Sequence, residues 1–488
     1  MLNIPVLEEL RTKTDLRITF LDETTVRRAL QKKQSSEIPA DLFRFECMEG
    51  KQGQCVWEDH PALRSHRALY AGLGSSLTLE SYRQAAAVAR NALKPWSARS
   101  VILDFPSTLP KNLSTTEVAQ AMTEGWLLAS YCFDRYQKKI KQKEPHLSFF
   151  VKEKREKRQV ERGIKQGILF AQATSFARDL VNTPAMHTTP KDLVLAAQEL
   201  TGKGSQISLK LFDETKLKRM KAGGILAIAQ GSMHAPFLVH LVYKPVRKAA
   251  KKIALVGKAV TFDSGGLSLK PWEAMVTMKS DMAGAATILG IFSVLKELNI
   301  PYEVHGIFAA CENMPSGSAI RPGDIVKMMN GTTVEIITTD AEGRMTLADS
   351  LTYAAKIAPD LLIDLATLTG ASVVALGEEV AALLSTTNRW KRHFLNAAEE
   401  SGEKIWELPL EKNYEKLLES DVADLRNIGN KYGGALTASL FLQHFVENYP
   451  WIHVEMAGPA FAEKVFEPYI PKGGTGFGVR SCLHFLLS

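Results

Sequence analysis

The stretch IALVGKAVTFDSGGLSLK, residues 253–270, decides how this chain is read. Four apolar residues, Ile253 to Val256, run without a polar break and then meet Gly257-Lys258. A run so short and so apolar suits a strand covered on both faces rather than one with a wet side. Similar runs follow at Val304–Ala310, Val334–Ile337 and Leu361–Leu365, alternating with helical patterns. Between the first two, the spacing predicts a helix beginning near Asp281 with Ile288, Ile291, Phe292, Leu295 and Leu298 as its buried stripe. The expected class is α/β, with a layered sandwich in the C-terminal part.

Outward from that block the chain is less explicit. At 488 residues, a prior of ~150 residues per domain allows two or three units. A hydrophobic share of 45% and a charged share of 23% are ordinary globular values, which exclude a disordered, collagen-like or disulfide-stapled chain. Val101–Leu103 reads as a buried strand, and a helical pattern follows from about Thr116. The lysine- and arginine-rich stretch Lys138–Arg158, with the helical pattern Val160–Leu180 after it, reads as a connector. We therefore expect an N-terminal domain over 1–165 and a catalytic domain over 166–488. The front part shows no recognisable site chemistry, leaving an assembly or regulatory role open.

Composition also narrows the function classes. The start MLNIPVLEELRTK lacks a basic segment followed by an apolar one, so no signal peptide is expected, and no run is long enough to span a membrane. Cys47, Cys55, Cys132, Cys311 and Cys482 are odd in number, scattered and without a CxxC pair, which suits reduced thiols in the cytoplasm. The net charge of +7 is mildly basic. The basic run admits a nucleic-acid or acidic-membrane patch, but a solvated helix face is the plainer reading.

Polar chemistry gathers between residues 257 and 370. Lys258 and Asp340 each come within three residues of the end of an apolar run, and ligands of open α/β sheets sit beyond the carboxyl ends of strands. Asp340 and Glu342, two apart in an extended chain, would point the same way. With Asp263 and Asp281 they make four carboxylates, which cannot all stay ionised in one pocket without countercharge. Two divalent metals are the economical countercharge, and hard oxygen donors admit Zn, Mn, Mg or Co. The bland alternative makes them loop acids and caps, with Asp281 a helix N-cap. Lys258 is the odd member: it pairs with the carboxylates, or binds metal as a neutral amine at a deprotonation cost of ~4.6 kcal/mol at pH 7. Lys270 and Arg344 remain to stabilise an oxyanion or hold an anion.

The segments GKAVTFDSGGLSLK, MKSDMAGAA, CENMPSGSAIRPGD, TTDAEGRMTLAD and DLATLTGA together resemble the cytosolic leucine aminopeptidases, a family of di-metal peptidases. The likeness continues through SDVADLRNIGN and KGGTGFGVR and reaches back to EGWLLASYCFDRY and RDLVNTPA, covering about residue 115 to the end. It implies a smaller N-terminal α/β domain and a larger catalytic α/β/α sandwich around a central mixed sheet. Lys258, Asp263, Asp281, Asp340 and Glu342 match the ligands of two metals, Zn with Mn, Mg or Co exchanging at the more labile site. Lys270 matches the lysine that polarises the substrate carbonyl, and Arg344 the arginine that holds a bicarbonate, the general base for a metal-bridging hydroxide. Met278, Thr367, Leu368 and Gly370 match the pocket for the first side chain, so broad specificity with a preference for Leu or Met is implied. So are peptide substrates and a homohexamer. Two positions depart from the family pattern: Thr338 stands for an asparagine near that pocket, and Ala259 for a glycine, which requires φ below zero there.

Rival readings are weaker. A di-metal esterase or phosphatase lacks a phosphate-cradling loop, and no HExxH or GxSxG supports another hydrolase class. A basic nucleic-acid-binding protein with a secondary or lost peptidase site is the alternative of a different kind.

Overall fold

The structure, a computed structural model, describes residues 2–9, 14–32, 48–58, 65–96, 98–138, 143–202 and 206–488. Cys47 lies outside the described residues; the other four cysteines are free thiols. Two compact units emerge, Met1–Gln172 with Val465–Pro471, and Ala173–Lys464 with Lys472–Ser488.

The first unit is built on six strands: β1 (Val6–Leu7), β2 (Thr14–Asp22), β3 (Cys55–Glu58), β4 (Ser65–Gly74), β5 (Ser100–Asp104) and β6 (His146–Phe150). Their order is β1-β6-β5-β2-β4-β3, parallel throughout but for β3 against β4. Leu16, Ile18, Leu103 and Phe149 meet Tyr82, Met122 and Trp126 of the helices Leu79–Ala92 and Thr115–Ala129 in one apolar core. β6 corrects the connector reading of Lys138–Arg158. Leu147-Ser148-Phe149 in the middle of that charged stretch is buried and pairs with β5, so the lysines flank an interior strand. Residues 139–142 of the stretch lie outside the described residues.

In the second unit the strands are β7 (Ile207–Phe212), β8 (Phe237–Tyr243), β9 (Lys252–Gly257), β10 (Val260–Asp263), β11 (Glu303–Asn313), β12 (Ile325–Lys327), β13 (Thr333–Glu335), β14 (Leu361–Ala366), β15 (Ala381–Ser385), β16 (Ile405–Glu407), β17 (Leu425–Arg426) and β18 (Trp451–Glu455). The central sheet runs β16-β15-β18-β14-β9-β11-β8-β7, with β10 alongside β11. β18, β14, β9 and β11 are parallel, whereas β8, β7 and β15 run against their inner neighbours, making the sheet mixed. Alternation along β9 sends Ala254 and Val256 into a core shared with Met345 and Leu351 of the helix Glu342–Ala355. On the other face Gly257 abuts Gly284 of the helix Ala283–Phe292. Helices thus cover both faces, and the apolar runs at 253–256 and 361–365 are strands for the reason expected.

Two expectations change. Val334–Ile337 is no strand of the central sheet: β13 is three residues long and pairs with β12 and β17 in a separate small sheet. The helix after Asp281 stops at Phe292, and Leu295–Leu298 forms its own turn; Leu298 is only half-buried. Among the described residues no helix is long and apolar enough to cross a membrane.

Candidate active site

The chain leaves β9 for β11 on one side and later returns to β14 on the other, so the carboxyl ends of β9 and β14 flank a topological switch point, where such sheets open a crevice. Lys258 and Thr367 are the first residues past those two ends, and the Lys258 amide still donates to Leu365 O at 3.0 Å. Its side chain is 3% exposed, with Nζ 2.6 Å from Asp281 Oδ1, 2.8 Å from Glu342 Oε1 and 2.8 Å from Thr367 O. The room for it is made by Gly343, where a Cβ would stand 2.4 Å from Lys258 Cε.

Asp263 ends β10. Its Oδ1 accepts from Gly265 N (2.9 Å) and Asn313 Nδ2 (2.8 Å), and its Oδ2 lies 2.8 Å from Lys270 Nζ. The chain can double back from Asp263 to Lys270 because Gly265 and Gly266 take φ of 86° and 64°, where a side chain is strained. Lys270 also pairs with Asp340. Asp340 and Glu342 do not sit in extended chain as the spacing suggested. Asp340 is in a turn and Glu342 opens a helix, so the helical turn brings them together. Oxygens of Asp263, Asp340 and Glu342 all lie within 4.8 Å of one another. Asp281 joins them through Lys258 and caps no helix, since its Oδ1 accepts from Lys258 and from Thr367 Oγ1 at 2.8 Å. Asp281 Oδ2 and Glu342 Oε2 are buried with no hydrogen-bond partner.

Burial dominates the electrostatics. It raises the carboxyl of Asp263 to about 6 and that of Asp281 well above the usual range, with Glu342 adding like-charge repulsion and the lysines opposing. Asp340 is raised by the same burial. Glu342 goes the other way, to about 2, because Lys258 and Lys270 outweigh its own burial. Burial also works against the charged form of Lys258, but Asp281, Glu342 and Asp263 overcome it and hold the amine protonated. Of the two roles left open for Lys258, the structure displays the paired ammonium. Two ammonium groups among four acids leave the cluster short of positive charge.

Arg344 is buried and donates from Nη1 to Asn427 O at 2.7 Å, while its Nε has no partner. Burial lowers its guanidinium to about 10. Met278 opens the turn that ends at Asp281; Thr367 and Leu368 are half-buried and Gly370 is exposed. Ala259 is absent from the left-handed region, so its Cβ is accommodated. Thr338 is bound on both sides, its carbonyl by Asn427 Nδ2 (2.7 Å) and its Oγ1 by Asp340 N (3.2 Å).

Sequence reasoning left Asn313, Asn427 and Glu455 unassigned. Asn313 clamps Asp263 to Thr339 O, and Asn427 ties the Thr338 segment to Arg344. Glu455, the last residue of β18, accepts from Leu368 N and Thr369 Oγ1, both at 2.9 Å, and so fixes the loop 367–370. A carboxylate closing a strand whose only other polar residue is His453 was the signal that could have found it.

The catalytic-domain model of the cytosol aminopeptidase family matches residues 175–483, and the N-terminal-domain model of that family matches residues 23–140. A probable cytosol aminopeptidase of Aquifex aeolicus is 40% identical over 450 residues, spanning 91% of this chain and 90% of that protein. A solved mutant of tomato leucine aminopeptidase, 34% identical, superposes with a TM-score of 0.88 over 100% of this chain and 96% of its own. The bottromycin maturation enzyme BotP in complex with Mn, also 34% identical, does so with a TM-score of 0.86 over 97% and 99%.

Proposed function

Since the chain belongs to the cytosol aminopeptidase family, we propose that it removes the amino-terminal residue of peptides at this carboxylate cluster, with two divalent cations as cofactors. The observation that carries the site assignment is the pair of buried, unpartnered oxygens, Asp281 Oδ2 and Glu342 Oε2, inside a cluster of acids with too little cationic charge. Such orphans are costly unless a ligand meets them. Asp263, Asp281, Asp340 and Glu342 would hold the cations, joined by Lys258 once its ammonium gives up a proton to become a neutral amine donor, Zn or Mn first, with Mg or Co at a labile position. Bound there, they would supply Lewis acidity towards a carbonyl and lower the pKa of a water.

The chain's own residues do the rest. Lys270, which here pairs with Asp263 and Asp340, would donate from its ammonium to the substrate carbonyl as negative charge develops there. Arg344, with Nε unpartnered, would hold an anion such as bicarbonate as general base. Met278, Thr367, Leu368 and Gly370 would receive the first side chain, an apolar pocket suited to Leu or Met with modest discrimination. A homohexamer acting in the cytoplasm is part of the same reading.

Release of leucine from leucine amide tests it. Hydrolysis that requires Mn or Zn, stops with chelator and is lost when the α-amine is acetylated is the expected result. Hydrolysis of the acetylated substrate at an equal rate would overturn the aminopeptidase reading, and full activity in thoroughly chelated protein would overturn the metal assignment.

A further inference from the structure

The first unit contains a cavity of about 840 Å³, and every residue lining it belongs to that unit. It is within the size range of small-molecule sites. The chain runs from β2 to β4 on one side and then crosses to β5 on the other, so β2 and β5 are neighbours at a switch point. Asp22 and Asp104, the last residues of those two strands, both line the cavity. This is the same reversal that opens the crevice between β9 and β14.

Two features show a built site. Arg17 is clamped through Nε, which donates to both oxygens of Asp104 at 2.9 and 2.8 Å, and its guanidinium lies 5.5 Å from the Phe150 ring centre. Its terminal N–H groups have no hydrogen-bond partner among the described residues, so a pre-oriented fork faces the cavity. Tyr82 also lines the cavity; it is 1% exposed, and its hydroxyl likewise has no hydrogen-bond partner among the described residues. Leu73 at the end of β4, and Ser75 and Leu77 in the short connection to the helix Leu79–Ala92, complete the cavity wall.

We propose that this cavity binds a mononucleotide-type ligand, a phosphorylated nucleoside. Arg17 would take the phosphate, with the exposed Lys152 at the cavity wall adding charge. Asp22 and Tyr82 would meet the donor and acceptor groups of the nucleoside. The acids on one wall disfavour a ligand that is anionic at both ends. The proposal is independent of the peptidase reading.

The test is calorimetric titration of the full chain with ADP, adenosine, inorganic phosphate and free leucine. Chelator is present throughout, so that no cation recruits phosphate to the carboxylate cluster. ADP is expected to saturate one site per chain, with adenosine and phosphate each at least tenfold weaker. Tyr82→Phe should weaken ADP about fivefold, as loss of one hydrogen bond would. Lys152→Ala should weaken it and flatten its salt dependence. Both variants should hydrolyse leucine amide as the parent does. No saturation by ADP at about 1 mM overturns the proposal. So does ADP binding that neither variant alters, or saturation by leucine with ADP silent.

Discussion

Replacing Gly343 with alanine tests whether the Lys258 amine nitrogen must sit where the structure puts it. Gly343 lies in the first turn of its helix, and a Cβ there would stand 2.4 Å from Lys258 Cε and 2.7 Å from Nζ. Ordinary contact begins at 3.4 Å, so the lysine end must retreat by roughly 1 Å. It has no free direction, because Asp281, Glu342 and Thr367 hold Nζ on three acceptors at 2.6–2.8 Å and the side chain is buried. Two terms oppose each other in stability. Alanine is the better helix former by ~1 kcal/mol, whereas overpacking costs ~1–3 kcal/mol, leaving about 0–2 kcal/mol of destabilisation. That is too little to unfold the chain. A misplacement of ~1 Å in a reacting constellation costs ~100-fold in rate. The expected outcome is therefore a folded G343A whose leucine amide hydrolysis is down about two orders of magnitude with Mn or Zn saturating. Gly317→Ala, where an added Cβ meets nothing within 4 Å, is the control and should behave as the parent. If G343A retained activity within a factor of two while its urea midpoint matched the control, the claim that Lys258 is sterically and electrostatically pinned would be wrong.

Other residues give separable outcomes. Lys270→Ala should lower kcat by ~10²–10³ with a smaller change in KM, since it removes a donor needed mainly as negative charge develops; equal losses in both would contradict that role. Glu455→Gln turns one acceptor oxygen of the 367–370 loop clamp into a donor facing an N–H or hydroxyl. The ranking of leucine, methionine and phenylalanine amides should compress through KM, and an unchanged ranking would show the loop holds itself. His240 is fully buried between Tyr353 OH (2.9 Å) and His305 Nδ1 (2.7 Å), and burial with the nearby His305 pushes its pKa down from 6.5 to about 3. The unfolded chain then binds the extra proton. This contribution to stability is complete above pH 6.5 and declines as pH falls towards about 3, by ~1.4 kcal/mol per unit. Urea midpoints of His240→Gln should lose that part of the acid-side slope; a parent-like slope would remove His240 as its cause.

Much of the second unit was legible because its signals are local. Ile253–Val256 and Leu361–Leu365 are apolar enough to need cover on both faces, and a polar residue just past such a strand has only the crevice to enter, as Lys258 and Thr367 do. Residue types at fixed spacing, Asp263, Asp281, Asp340 and Glu342, already demanded countercharge. The tertiary structure decided what depends on elements far apart in the chain. The convergence of Asp340 and Glu342 comes from a turn running into a helix, not from strand alternation, and β13 left the central sheet because its partners are β12 and the distant β17. Glu455 reaches a loop 87 residues away, and Arg17 is oriented by an aspartate 87 residues on. Periodicity reports which face of an element is apolar; it carries no information about which distant side chain will stand opposite. Leu147–Phe149 shows the limit plainly, since Leu147 and Phe149, set either side of a serine in a lysine-rich run, become part of an interior strand only once β5 is beside them.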